Sequence, residues 1–134
     1  IAKDSPAGYQ MLARFQLASI AAKQGDLDFA IGAYKNLADD DGIAAVYQDL
    51  AVVLGAFAEL HAKSEGAGLV ARANELASGS SPLRFTAKEV GALAALKNGD
   101  TKTARIRYEE LSKEAAAPQG LRARAQSMLD VLTE

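Results

Sequence analysis

Cysteine is absent from all 134 residues, which excludes disulfides, thiolate nucleophiles and cysteine-ligated zinc or iron–sulfur sites together. The absence leaves the compartment open, because exported and cytosolic domains alike can dispense with a cross-link. Aromatic residues make up only 6% of the chain and there is one histidine, while apolar residues reach 49% with alanine abundant. Small side chains suit closely packed helices rather than a thick β-sandwich core. No basic excess exists: the formal charge is −2, which excludes the electrostatic footprint of a nucleic-acid binder. Long apolar runs are missing too. Leu50 to Leu60 comes nearest and falls short of the ~18–20 residues of a membrane span. A chain of this length fits one domain and buries roughly two-thirds of its unfolded surface.

What is present is a phrase written twice. Lys-x-Gly-Asp-x-x-x-Ala-x-x-x-Tyr-x-x-Leu runs from Lys23 to Leu37 and again from Lys97 to Leu111, 74 residues apart. A degenerate unit between the copies gives a period of about 37, near the roughly 34 of helix–turn–helix repeats. The reading is therefore all-α. Ser5 and Pro6 open a first helix that ends near Gln24. Gly25 supplies the turn and Asp26 caps a second helix with the stripe Leu27, Ala30, Ile31, Tyr34 and Leu37. Asp39, Asp40, Asp41 and Gly42 break the pattern, and Ile43 to about Lys63 forms a long helix apolar on most of its circumference. Lys63 to Leu76 imitates Lys23 to Leu37 with one residue missing, its turn at Ser64 to Gly68 having lost the Gly-Asp pair. Ser81-Pro82 begins a fifth helix that runs to about Asn98, a sixth follows from Asp100 to about Ala116, and a last helix begins at Pro118. Arg122, Arg124, Gln126 and Asp130 give that last helix the polar outer face of a terminal cap.

The Gly-Asp, Ala, Tyr and Leu spacings, with Ala18 and Ala92 seven residues before the glycines, resemble the tetratricopeptide repeat (TPR). The resemblance implies an α-solenoid of about three helix hairpins, units 6–41, 43–79 and 82–116, with a capping helix at 118–133, in a single domain over 1–134. Arg14 and Lys88 stand where that motif has an early aromatic. Ser81 to Leu132, with Pro82-Leu83-Arg84-Phe85, Lys97-Asn98-Gly99-Asp100 and Pro118-Gln119-Gly120-Leu121, is further similar to bacterial membrane-anchored TPR-like proteins known as ancillary subunits of the Sec translocon. That similarity implies a periplasmic location at the inner membrane and a role in handing secreted proteins to chaperones. It also implies an anchor before Ile1 as the sole membrane attachment. The alternative is a self-assembling scaffold, cytoplasmic or in the envelope.

Candidate chemistry is sparse, and no enzymatic activity, cofactor or metal is expected. Gly66-Ala67-Gly68-Leu69-Val70-Ala71 spells a dinucleotide-binding turn without the strand and parallel sheet the turn requires. Three consecutive aspartates point in different directions, unlike the alternate ligands of a calcium loop. His61 falls near a helix C-terminus, where its charged form is favoured, and has no nucleophile or metal set beside it. Ser78, Ser80 and Ser81 lack the strand–turn–helix frame of an activated serine. The expected partner is therefore a protein or peptide, with a homo-oligomer as the other case. The TPR resemblance implies that first helices of successive units face it, through Phe15, Ser19 and Lys23, then Val52, Ala56 and Glu59, then Glu89, Leu93 and Lys97. Only Lys23 and Lys97 offer cations there, so a clamp for a peptide C-terminal carboxylate is disfavoured.

Overall fold

In the computed structural model, which describes residues 6–63 and 67–132, the two copies of the phrase fold alike to the level of single hydrogen bonds. Gly25 and Gly99 have φ of +85° and +81°, a region that a Cβ strongly disfavours. Each glycine closes the preceding helix. Gly25 N–H donates to Ala22 O at 3.1 Å and Asp26 N–H to Ala21 O at 2.8 Å; Gly99 N–H donates to Leu96 O at 3.0 Å and Asp100 N–H to Ala95 O at 2.9 Å. These are the paired bonds of a left-handed helix stop. The same aspartates then open the next helix, Asp26 Oδ1 accepting from Phe29 N–H at 3.4 Å and Asp100 Oδ1 from Thr103 N–H at 3.1 Å. Removing either cap exposes first-turn donors, so Asp26→Ala and Asp100→Ala each lower the denaturation midpoint. The shorter bond makes Asp100→Ala the larger loss, and urea titration of both variants checks the order.

The described residues form seven helices and no strand: α1 (Pro6–Lys23), α2 (Leu27–Ala38), α3 (Ala45–Ala62), α4 (Leu69–Ala77), α5 (Arg84–Lys97), α6 (Thr101–Lys113) and α7 (Gln119–Leu132). Contacts divide the chain into two compact units, Ile1–Arg72 and Ala73–Glu134. In the first, α2 packs against both α1 and α3; in the second, α6 packs against α5 and α7, and α5 also touches α7. The phrase and the alanine seven residues before its glycine contribute alike to both cores. Ala18, Ala30, Tyr34 and Leu37 are buried in the first, and Ala92, Ala104, Tyr108 and Leu111 in the second. Alanine on facing helices lets their axes approach, and the tyrosine fills the remaining gap. Phe85, Leu121, Ala125 and Leu129 complete the second core.

Burial, with Glu89 adding a smaller effect, pushes the Tyr108 hydroxyl up to about 12 from the ordinary value of 10.0. An unfolded tyrosine releases its proton near pH 10 while folded Tyr108 retains it. Stability is therefore full below pH 10 and falls between pH 10 and about 12. Denaturation midpoints measured from pH 9 to about 11.5 check this, and Tyr108→Phe flattens the decline.

The middle of the chain retains more of the pattern than its letters suggest. With buried Ala73 set against Ala30 and Ala104, Gly68 falls on Gly25 and Gly99, and its φ is likewise positive, +69°. The turn glycine therefore survives, and it is the aspartate that is replaced, by Leu69. Leucine cannot cap. The missing acceptor comes instead from Glu59 on α3, whose Oε1 accepts from Val70 N–H at 2.8 Å and Oε2 from Ala67 N–H at 3.2 Å. In the same register Ala77 falls on Tyr34 and Tyr108, and α4 ends there.

Helix boundaries differ from the sequence reading at three places. Residue 43 does not begin α3: Ile43 is buried in a turn that Asp40 holds by accepting from Gly42 N–H at 2.8 Å and, through its carbonyl, from Gln48 Nε2 at 2.9 Å. Ser81 and Pro82 form a turn before α5 rather than its cap and first turn, with Ser81 Oγ accepting from Leu83 N–H at 3.1 Å. At the end of α6, Glu114 has extended backbone, stopping the helix three residues before Ala117 is buried. Ser5, and Ser64 and Gly66 of the expected middle turn, lie outside the described residues.

Candidate functional site

Three of the nine residues expected to face a ligand are core. Val52, Ala56 and Glu59 are buried, Glu59 to 1% exposure, and Glu59 is spent on the start of α4. A group sealed from solvent cannot meet a partner, so the expectation is corrected at these positions. Glu89 is half-buried and held by Arg124 of α7, whose Nε and Nη2 donate to its two oxygens at 2.9 Å each. Such a two-pronged pair fixes both side chains, making Glu89 a tie between α5 and α7. Phe15 is half-buried with its ring 6.3 Å from that of Tyr34. Ser19 and Leu93 are also half-buried, and only Lys23 and Lys97 are exposed, each as the last residue of its helix. Cations there complement the helix dipole.

The aspartate run works as a fastener. Asp39 accepts from Lys35 Nζ at 2.8 Å and Arg72 Nη1 at 2.7 Å, and Asp40 from Arg14 Nη1 at 2.6 Å. These bonds hold the Asp39 and Asp40 carboxyls below the ordinary carboxylate value, through Lys35 and then Arg72 for the first and Arg14 and then Gly42 N–H for the second. The side chains of Arg14 and Asp40 join α1 to the turn before α3. Among the described residues no three histidine, aspartate or glutamate side chains gather as metal ligands. His61 Nδ1 lies 2.8 Å from Phe57 O; a carbonyl only accepts, so Nδ1 carries the proton. The element before the glycine-rich letters is α3, a helix, and Gly66 lies outside the described residues.

Two surface features stand apart from the expected ligand face. On α1, Tyr9, Leu17 and Ile20 are 60%, 58% and 50% exposed, spaced along one outer face at helical intervals. That helix is apolar nearly all round, the character of a helix covered on more than one side. In the second unit, residues of α4, α5 and α6 enclose a cavity of about 820 Å³, within the range of small-ligand and peptide sites. Ala77, Ala87, Gly91 and Leu111 supply apolar or small lining, while Asn74, Arg107, Glu110 and Glu114 are polar. The alanine in the tyrosine position was the available signal, visible only once the middle unit is aligned on Gly68.

No protein-family model matches this chain, no curated protein matches it, and no solved structure matches it. No helix among the described residues is long and apolar enough to cross a membrane.

Proposed function

We propose that the chain is a TPR-like α-solenoid of about three helix hairpins and a terminal cap, acting as a non-enzymatic protein–protein adaptor in the bacterial cell envelope. Its role there is handing over secreted proteins on the periplasmic side of the Sec translocon. The observation that carries the reading is the atom-for-atom recurrence of the Gly-Asp turn at Gly25 and Gly99 with Ala, Tyr and Leu buried at equal offsets. Repeats of this kind present surface and hold partners. The envelope assignment rests on the similarity of Ser81 to Leu132 to the translocon-associated proteins.

Photocrosslinkers placed at exposed Leu17 and Lys88, followed by identification of the adducts from envelope fractions, test the reading. Adducts with one translocon or chaperone component support it. Thermal stabilisation by a nucleotide or metal, without any protein adduct, overturns it.

A second reading, self-assembly, is favoured by the exposed Tyr9, Leu17 and Ile20 on α1. Light scattering decides it. A mass that doubles with concentration and reverts in Leu17→Glu supports a homo-oligomer, and a concentration-independent monomer removes it.

A further inference from the structure

The cavity of the second unit exists where the repeat departs from itself. Tyr34 and Tyr108 are buried at the position that Ala77 occupies in α4, and the side chain that would fill the space is missing. Gly91 deepens the floor on the α5 side. A Cβ at Gly91 would stand 3.3 Å from Arg107 Nη1 and 3.5 Å from Asn74 Oδ1, so glycine lets the guanidinium lie down on α5. There Nη1 donates to Gly91 O at 2.9 Å. That bond uses one of five N–H donors and orients a planar fork suited to a carboxylate.

The α6 wall has a direction. Arg107, Glu110 and Leu111 of α6, and Glu114, the residue that stops it, all line the cavity, and their spacing of i, i+3, i+4 and i+7 keeps them along one side. Charge changes sign along it. Arg107 stands at one end and Glu114 at the other, with Glu110 and Leu111 between. Glu110 has no hydrogen-bond or ion-pair partner among the described residues, and Glu114 Oε1 accepts only from Ala116 N–H at 3.2 Å. The two lysines at the rim are engaged elsewhere: Lys113 Nζ pairs with Glu109 at 2.8 Å, and Lys88 Nζ lies 5.4 Å from the Phe85 ring centre. From Arg107 to Glu114 the helix rises about 10 Å, a span that about three residues of extended peptide cover.

We propose that this groove binds an extended peptide segment carrying an acidic side chain and, about three positions away, a basic one. The acid pairs with Arg107 beside Asn74, the base with Glu114 at the far end, reinforced by Glu110 one turn before it, and the intervening residues lie over Leu111 and Ala87. The assignment rests on the protein-binding reading above and names the chemistry of its partner.

Fluorescence anisotropy with a dye-labelled hexapeptide tests it, using one glutamate and, three positions on, one lysine in an alanine–serine background. A control peptide replaces both charges with glutamine. The charged peptide binds at least about tenfold tighter than the control, as expected for charge-assisted pairs. Arg107→Gln abolishes that preference, as does the double change Glu110→Gln and Glu114→Gln. Ala77→Tyr, which restores the side chain of the other two repeats, blocks binding while circular dichroism shows the fold retained. Equal affinity for the two peptides, unchanged preference in Arg107→Gln, or no binding up to about 2 mM overturns the proposal. Arg107→Gln protein that still forms the envelope crosslinks removes the groove and leaves the adaptor; wild-type protein without crosslinks removes the adaptor, and the peptide assay alone then judges the groove.

Discussion

Replacing Glu59 by alanine lowers stability by about 2–3 kcal/mol and frees the first turn of α4. The carboxylate is 1% exposed and each of its oxygens accepts one backbone N–H, from Ala67 and Val70. Bonds to a charged acceptor contribute more than neutral ones, and donors stripped of their acceptor at a partly buried helix start lose most of that contribution. The helix dipole adds to the effect, since a negative group at a helix N-terminus is favoured. For a chain of this size the thermal midpoint drops by about 8 °C. Glu59→Gln keeps the shape and one good acceptor, so it loses roughly half as much. Hydrogen exchange separates this from general loosening: in Glu59→Ala the Val70 amide loses protection first, while the amides of Phe29 and Thr103, capped by their own aspartates, change least. Uniform loss across all three amides refutes the capping role.

That cap also marks the limit of what the sequence displays. Asp26 and Asp100 act on amides three residues ahead, so their role is legible in a window shorter than one helix turn plus its loop. Glu59 reaches 8 and 11 residues forward, out of one helix and into the next. Nothing local distinguishes it from a solvated glutamate, and the helical spacing that pointed Val52, Ala56 and Glu59 toward a partner holds equally for a buried face. Arg14 with Asp40 and Arg72 with Asp39 connect positions 26 and 33 residues apart. The phrase residues were legible because each is fixed by its neighbours in the chain: a left-handed glycine, a cap, and small residues one or two turns along. The groove was legible only as a difference, an alanine where two tyrosines stand. It could be seen once Gly68, and not the Lys63 end, set the register.

Glycine provides a second test, in which one substitution changes sign with position. Gly32 lies in α2, exposed, and a Cβ there meets nothing within 4 Å. Alanine favours a helix interior over glycine, so Gly32→Ala stabilises by about 0.8–1 kcal/mol. Gly55 lies in α3, buried, and a Cβ there would overlap Leu69 Cδ1 and stand 2.9 Å from Tyr34 Cβ. Leu69 can swing its terminal methyl aside. Tyr34 cannot follow, because its Cβ is fixed to the backbone of α2, and moving it means moving that helix against α3. Overpacking of this kind costs about 1–3 kcal/mol and outweighs the gain in helix propensity. Gly55→Ala therefore destabilises by about 1–2 kcal/mol net and Gly55→Val by more. The contact also predicts coupling. Leu69→Ala alone leaves a cavity, yet combined with Gly55→Ala it removes the nearer clash, so the double variant is more stable than the sum of the two singles implies. Additivity within about 0.3 kcal/mol places the close approach elsewhere, whereas coupling ties the start of α4 to Gly55, one helix turn before the glutamate that caps it.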